Sequence, residues 1–187
     1  MRGCEGRISV TANDRQGGAL VAEHLLGTGH TNIALIPGPA HARTAADRAA
    51  GFRDVVEQHP TAALTFAGTG GYNTEDGYEA ASSLFSTKQR PTAIFCTNDH
   101  AAIGASRALF DMGLNVGHDV AVVGYNDLPW SKYLQTPLTS VHTDIPTMGR
   151  DAAVRLIGLI QGEKVTSEVI ETKLIVRESS KHPAPIA

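Results

Sequence analysis

Residues 90–99 read Arg90-Pro91-Thr92-Ala93-Ile94-Phe95-Cys96-Thr97-Asn98-Asp99. Four apolar side chains in a row, Ala93 to Cys96, run into a polar Thr-Asn-Asp end. A strand that does not alternate apolar with polar is buried on both faces, as in a parallel sheet covered by helices. The residues after it support this. Ala101 to Met112 is a small-residue helix stopped by Gly113, and Val120-Ala121-Val122-Val123 is the next apolar strand, broken by Gly124. Upstream, Ile33-Ala34-Leu35-Ile36 is cut off by Pro37-Gly38-Pro39, and Ala63-Leu64-Thr65-Phe66 ends at Gly68.

Helical stretches separate these strands. Leu20, Val21, Leu25 and Leu26 recur at helical spacing between the cap Asn13-Asp14 and the stop Gly29. Ala49, Phe52, Val55 and Val56 mark a second helix. Thr74-Glu75-Asp76 opens a third, its acids suiting the helix dipole, with Tyr78, Ala81, Leu84 and Phe85 as the expected buried stripe. The alternation predicts an α/β fold around a parallel sheet with both faces covered. Beyond Asp127 the pattern changes: Pro129, Pro137 and Pro146 punctuate an irregular stretch holding one strand-like piece, Leu138 to His142. A helix over 147–161 carries Ala153, Leu156, Ile157 and Ile160 on one face. A final strand, Val169 to Val176, precedes a Pro-rich tail.

Composition bounds the function. A chain of 187 residues is one domain, or one domain plus part of another. With 42% hydrophobic and 19% charged residues it is globular. No apolar run approaches the roughly 18 residues that cross a bilayer, and residues 1–7 carry no secretory-signal pattern. Sixteen basic against nineteen acidic residues give a net charge of −3 and a pI near 6.2, a poor match to a phosphate-gripping domain. Cys4 and Cys96 form no paired motif, and Cys96 reads as a buried free thiol. A cytoplasmic protein without membrane contact is the expectation.

Ligands of open parallel sheets bind outside the carboxyl ends of the strands. Four loops meet that edge, carrying His41, Arg43, Thr44 and Arg48, then Gly68 to Tyr72, then Thr97-Asn98-Asp99, then Gly124 to Asp127. Arginine offers a fork of donors and asparagine both donor and acceptor, a set for holding a small polar molecule rather than breaking one. Each has a plainer alternative. Asp99 fits a helix N-cap, Tyr72 and Tyr125 fit loop packing, and Arg48 fits solvent exposure or a pair with Asp47 or Glu57. Gly70-Gly71 lacks the spacing of a phosphate loop. No nucleophile elbow, zinc-protease motif or Cys/His cluster is present, and His41 and His100 stand alone, so the sequence predicts no enzyme, no catalytic residue, no metal and no cofactor.

Taken in order, several segments carry a family likeness. They are Gly29-His30 with Ile33 to Pro39, Arg48-Ala49-Ala50-Gly51-Phe52, Arg90 to Asp99, Asp119 to Asp127, Thr136 to Val141, and Val176-Arg177-Glu178-Ser179-Ser180. From about Val10 to Ser180 the chain resembles the effector-binding portion of LacI-type bacterial transcriptional repressors, itself similar to periplasmic sugar-binding proteins. The resemblance implies two α/β subdomains joined by three crossover strands, with an effector between them. It places Arg48, Tyr72, Asn98 and Asn126 at ligand-contacting positions, with Thr44 a fifth. At Asn126 the family commonly carries Asp; an amide there is neutral and can also donate.

The resemblance also implies segments before this chain's first residue: a helix-turn-helix, a hinge helix and most of an N-terminal subdomain. On that reading 14–140 forms a periplasmic-binding-protein-like (type I) C-terminal subdomain completed by strand 169–177. Residues 141–168 belong to a largely missing N-terminal subdomain, and 178–187 form a tail. The implied partners are a sugar-like or purine-like effector and a second copy in a homodimer, with DNA reached only through the helix-turn-helix. A solute receptor for a sugar transporter shares the fold and is the alternative.

Overall fold

The structure is a computed structural model that describes residues 8–68 and 70–181. The expectations for residues 1–7, Cys4 included, and for the chain end at 182–187 lie outside the described residues. The elements in chain order are β1 Val10–Ala12, α1 Asp14–Gly27, β2 Asn32–Ile36, α2 Arg43–Gln58, β3 Ala63–Phe66, α3 Thr74–Phe85, β4 Ala93–Cys96 and α4 Asp99–Asp111. They continue with β5 Ala121–Asn126, a short 3-10 turn Ser131–Tyr133, β6 Thr139–His142, α5 Ile145–Ile160, β7 Glu168–Ile170 and β8 Lys173–Ile175.

Six strands form the main sheet in the order β3-β2-β4-β5-β6-β8. The first five are mutually parallel, and β8 returns antiparallel to β6. Successive side chains of a strand point to opposite faces, and both faces here are apolar. Ala34, Ile36, Ile94, Cys96 and Val122 pack with Ala81, Leu84, Ala105 and Leu109 of α3 and α4. Ile33, Leu35, Phe95, Val123 and Tyr125 pack with Val21, Leu25, Phe52 and Val56 of α1 and α2. Glycines bring each helix pair into contact. A Cβ on Gly18 or Gly51 would strike the carbonyl of Arg48 or Arg15, and one on Gly77 or Gly104 the carbonyl of Ala101 or Thr74.

Burial on both faces holds for β2, β4 and β5 but not for β3. As an edge strand it has no neighbour beyond it, and Phe66 is 54% exposed. Tyr78 likewise leaves the expected α3 stripe for the surface, where its hydroxyl donates to Asp111. Gly124 does not break its strand, since β5 runs through it to Asn126. The glycine is required because a Cβ would strike the Asp99 carboxylate.

The end of the chain also differs from expectation. The single strand expected at 169–176 is two, because β7 pairs with β1 in a separate two-stranded sheet while β8 joins β6. β6 stays in the main sheet through His142, past the expected boundary at 140. Ser179 and Ser180 are buried rather than part of a tail. The Ser179 hydroxyl donates to the Val122 carbonyl (2.6 Å) and accepts from the Thr139 N–H (2.8 Å), and Ser180 donates to the Thr139 hydroxyl (2.7 Å).

Helix α5 flanks the small sheet, tied to it by the Arg155–Glu168 ion pair. Its outer side chains stay uncovered: Leu156, Ile157 and Ile160 are all exposed, Ile160 to 78%. Two outcomes follow from this packing. Ser179→Ala leaves a buried N–H and a buried carbonyl unpaired and is expected to cost about 2 kcal/mol in urea unfolding; a variant within error of wild type contradicts the assignment. The bare α5 face is expected to make the chain self-associate as concentration rises, and Leu156→Glu with Ile160→Glu to restore a monomer in sedimentation.

Candidate ligand-binding site

The site begins with a charge that had to be buried. Arg48 lies in the first half of α2 and is 8% exposed. Its Nε donates to Asp14 Oδ1 at 2.7 Å, its Nη1 donates to the Thr97 carbonyl at 2.9 Å, and its guanidinium lies 3.8 Å above the Tyr125 ring. Asp14 opens α1, where a carboxylate also suits the helix dipole. Arg48 is therefore neither solvent-facing nor paired with Asp47 or Glu57. Asp47 pairs with Arg43 at 3.4 Å instead. Tyr125 is fully buried as the floor beneath Arg48. Burial and the neighbouring Asp14 charge push its hydroxyl above the ordinary tyrosine range.

Asn98 ends β4 and caps α4. Its Oδ1 accepts from the Ala101 N–H at 2.8 Å and its Nδ2 donates to the Tyr72 carbonyl at 2.9 Å. The cap is thus Asn98, not Asp99. Asp99 is buried and accepts from Ser140 Oγ (2.6 Å), Leu128 N–H (2.7 Å) and Ser131 Oγ (3.0 Å), joining α4 to β6 and to the loop after β5. Burial raises its carboxyl above the usual range, while those hydrogen bonds pull it back down.

Asn126 ends β5 with φ of 103°, a left-handed region costly for any residue with a Cβ. The next residue holds it there. Asp127, with φ of 52°, accepts from Arg177 Nη2 (2.7 Å) and contacts His142 Nδ1 (3.1 Å), and its own N–H donates to Ser140 Oγ (2.9 Å).

The five expected residues, Thr44, Arg48, Tyr72, Asn98 and Asn126, line one cleft of about 320 Å³ together with His100. The Tyr72 and Thr44 hydroxyls are 3.4 Å apart across it. A second hollow of about 810 Å³ shares Thr44, Arg48 and Asn126 and continues to Asp14, Thr143, Ile145 and Met148. His41 lines neither hollow. The Trp130 ring is half-exposed, with its centroid 6.3 Å from that of His100. Sequence reasoning missed Asp14, legible only as a helix cap because its partner is 34 positions away. It also missed Thr143, for which the sequence carries no signal. Among the described residues no group of His, Cys, Asp and Glu could hold a metal ion, and no helix is long and apolar enough to cross a membrane.

Residues 22–180 match the family model described as a periplasmic binding protein-like domain. The HTH-type transcriptional repressor PurR of Klebsiella pneumoniae is 34% identical over 174 residues, which are 91% of this chain and 51% of the repressor. The chain spans about half the length of the curated relatives it matches. A dimeric Lac repressor with an 11-residue C-terminal deletion superposes with a TM-score of 0.87 at 30% identity, over 94% of this chain and 64% of that one. A LacI family transcriptional regulator from Enterococcus faecium with bound ribose superposes at 0.83 with 26% identity, over 96% and 66% of the two chains.

Removing one partner of a desolvated pair leaves the other charge stranded. Asp14→Leu is therefore expected to lower stability by about 3 kcal/mol in chemical denaturation, and Asp14→Leu with Arg48→Met to recover most of it. Equal losses in the single and double variants would show that the pair does not act as a unit.

Proposed function

Because the chain belongs to the periplasmic binding protein-like domain family, as the LacI-type transcriptional repressors carry it, we propose that its cleft senses a small polar effector and thereby controls DNA binding by a longer regulator. The observation that carries this reading is the convergence of Thr44, Arg48, Tyr72, Asn98 and Asn126 on one concave surface. Arg48 is already immobilised there by Asp14 and Thr97. A donor fixed before the ligand arrives costs little ordering on binding. The relatives are repressors, not enzymes, and the residues gathered at this edge bind rather than react.

In this reading an effector lies between the main sheet and the smaller β1/β7/α5 unit. It biases their separation only so far as it prefers one arrangement over the other. The regulator acts in the cytoplasm as a homodimer, in keeping with the dimeric Lac repressor. DNA is reached through a helix-turn-helix that these 187 residues do not contain. A footprint on operator-like DNA from this chain alone would contradict the assignment.

The test is a ligand titration followed by NMR, with D-ribose, D-galactose and hypoxanthine as probes. Asn126→Ala is expected to weaken whichever probe binds by about tenfold, the scale of one lost hydrogen bond in a partly desolvated site. Trp130, near His100 at the cleft rim, is expected to change its fluorescence on saturation; an unchanged spectrum places it outside the ligand's reach. Unchanged affinity in both Asn126→Ala and Arg48→Lys would move the site elsewhere.

A further inference from the structure

Asn126 lines the cleft in a backbone conformation that its own side chain disfavours. A φ of 103° lies outside the small left-handed region open to residues with a Cβ. A residue held there persists only where its surroundings over-determine it. Asp127 follows with φ of 52°, inside the left-handed region. Two such residues in a row give the exit of β5 no local preference for the shape it has, so that shape is imposed by groups outside the segment.

One carboxylate reaches it from both sides. Asp99 opens α4, is fully buried and lines neither hollow. Two residues before Asn126, the Gly124 backbone passes so close that a Cβ there would strike Asp99 Oδ1. Two residues after it, the Leu128 N–H donates to Asp99 Oδ2 at 2.7 Å. Between these points the Asp127 N–H donates to Ser140 Oγ (2.9 Å), whose own hydrogen goes to Asp99 Oδ1 (2.6 Å). Ser131 Oγ donates to Oδ2 at 3.0 Å and fastens the 3-10 turn beyond. All three bonded partners are neutral donors, and an ionised carboxylate only accepts. An amide in its place would turn an N–H2 group toward the Leu128 N–H or the Ser140 hydroxyl. Helix capping does not explain the residue, because Asn98 already caps α4.

We propose that Asp99 is a positioning residue. Without touching the ligand, it holds residues 124–128 in the turn that presents Asn126 to the cleft. This rests on the effector-sensing reading above and deepens it.

The experiment uses the 187-residue chain, its Asp99→Asn, Asn126→Gly and Ser131→Ala variants and the Asp99→Asn with Asn126→Gly pair. D-ribose, D-galactose and hypoxanthine are the probes. A positive φ brings the amide and α protons of one residue together, so the wild-type chain is expected to show a strong intraresidue HN–Hα cross-peak at Asn126. Asp99→Asn is expected to lose that cross-peak and to bind the probe that wild type takes about tenfold more weakly. Glycine adopts a positive φ without steric cost, so adding Asn126→Gly is expected to recover much of the melting temperature lost in Asp99→Asn. A carboxylate that only joined α4 to β6 would lower the melting temperature with cross-peak and affinity unchanged and no recovery by glycine; that result overturns the proposal. Should Asp99→Asn fail to fold, Ser131→Ala decides, because it removes one of the three donors. It is expected to weaken the cross-peak and to cost about fivefold in affinity, and no change in either overturns the proposal. Failure of every probe to bind the wild-type chain overturns the effector reading alone; the cross-peak and the glycine rescue then still decide whether Asp99 holds the turn.

Discussion

A guanidinium cannot leave water without a counter-charge, and Arg48 has left it. Desolvating an ion costs several kcal/mol even after the protein relaxes. The side chain persists where it is because four elements converge on it. Asp14 of α1 supplies the charge, the Thr97 carbonyl at the exit of β4 takes a second hydrogen bond, Tyr125 of β5 offers its ring, and α2 carries the arginine itself. The close approach of α1 and α2 through Gly18 and Gly51 makes this geometry reachable, since a methyl group at either position would drive the helices apart. The same contacts that immobilise Arg48 thus hold the helix pair to the sheet edge.

Much of this was legible in the chain and some of it was not, for physical reasons. The apolar runs in β2, β4 and β5 declared strands buried on both faces, because burial is written directly into composition. Thr44, Arg48, Tyr72, Asn98 and Asn126 were expected at one edge, and the structure brings them to one cleft. The misses concern facts that no local pattern encodes. Position in the sheet order decides that β3 is an edge strand, though its residues resemble those of β2. Gly124 resembled a strand breaker because the carboxylate that excludes its Cβ belongs to Asp99, 25 positions earlier in the sequence. Ser179 and Ser180 resembled a tail because small polar residues near proline do so, until Thr139 and Val122 supply the hydrogen bonds that bury them.

The two sheets are unequal partners. The larger has a core on each face and holds every residue of the smaller cleft. The smaller has two short strands and a helix whose outer face is bare. Asp127 stands at their junction. Its carboxylate meets His142 at the end of β6, where the chain leaves for α5, and Arg177 just after β8, where the chain has come back. Asn126, next to it, faces the cleft. A ligand that moved Asn126 would pull on a residue bonded to both of these connections.

The antiparallel pairing of β8 with β6 sets an order of events during synthesis. Four parallel strands and all four covering helices are complete by residue 126, yet β6 receives its outer neighbour only from residues 173–175, and its last hydrogen bonds only from 177–180. Strand β1, near the amino end, must wait still longer in sequence terms, since its partner is some 158 residues downstream. As these residues emerge in order, β1 has no partner and β6 has only its inner one, β5. Closure of both sheets is deferred until residues 168–180 are available, and the long loops closed last are those that slow folding. The strand order, rather than the hydrophobicity of any one segment, makes closure of this fold a late event.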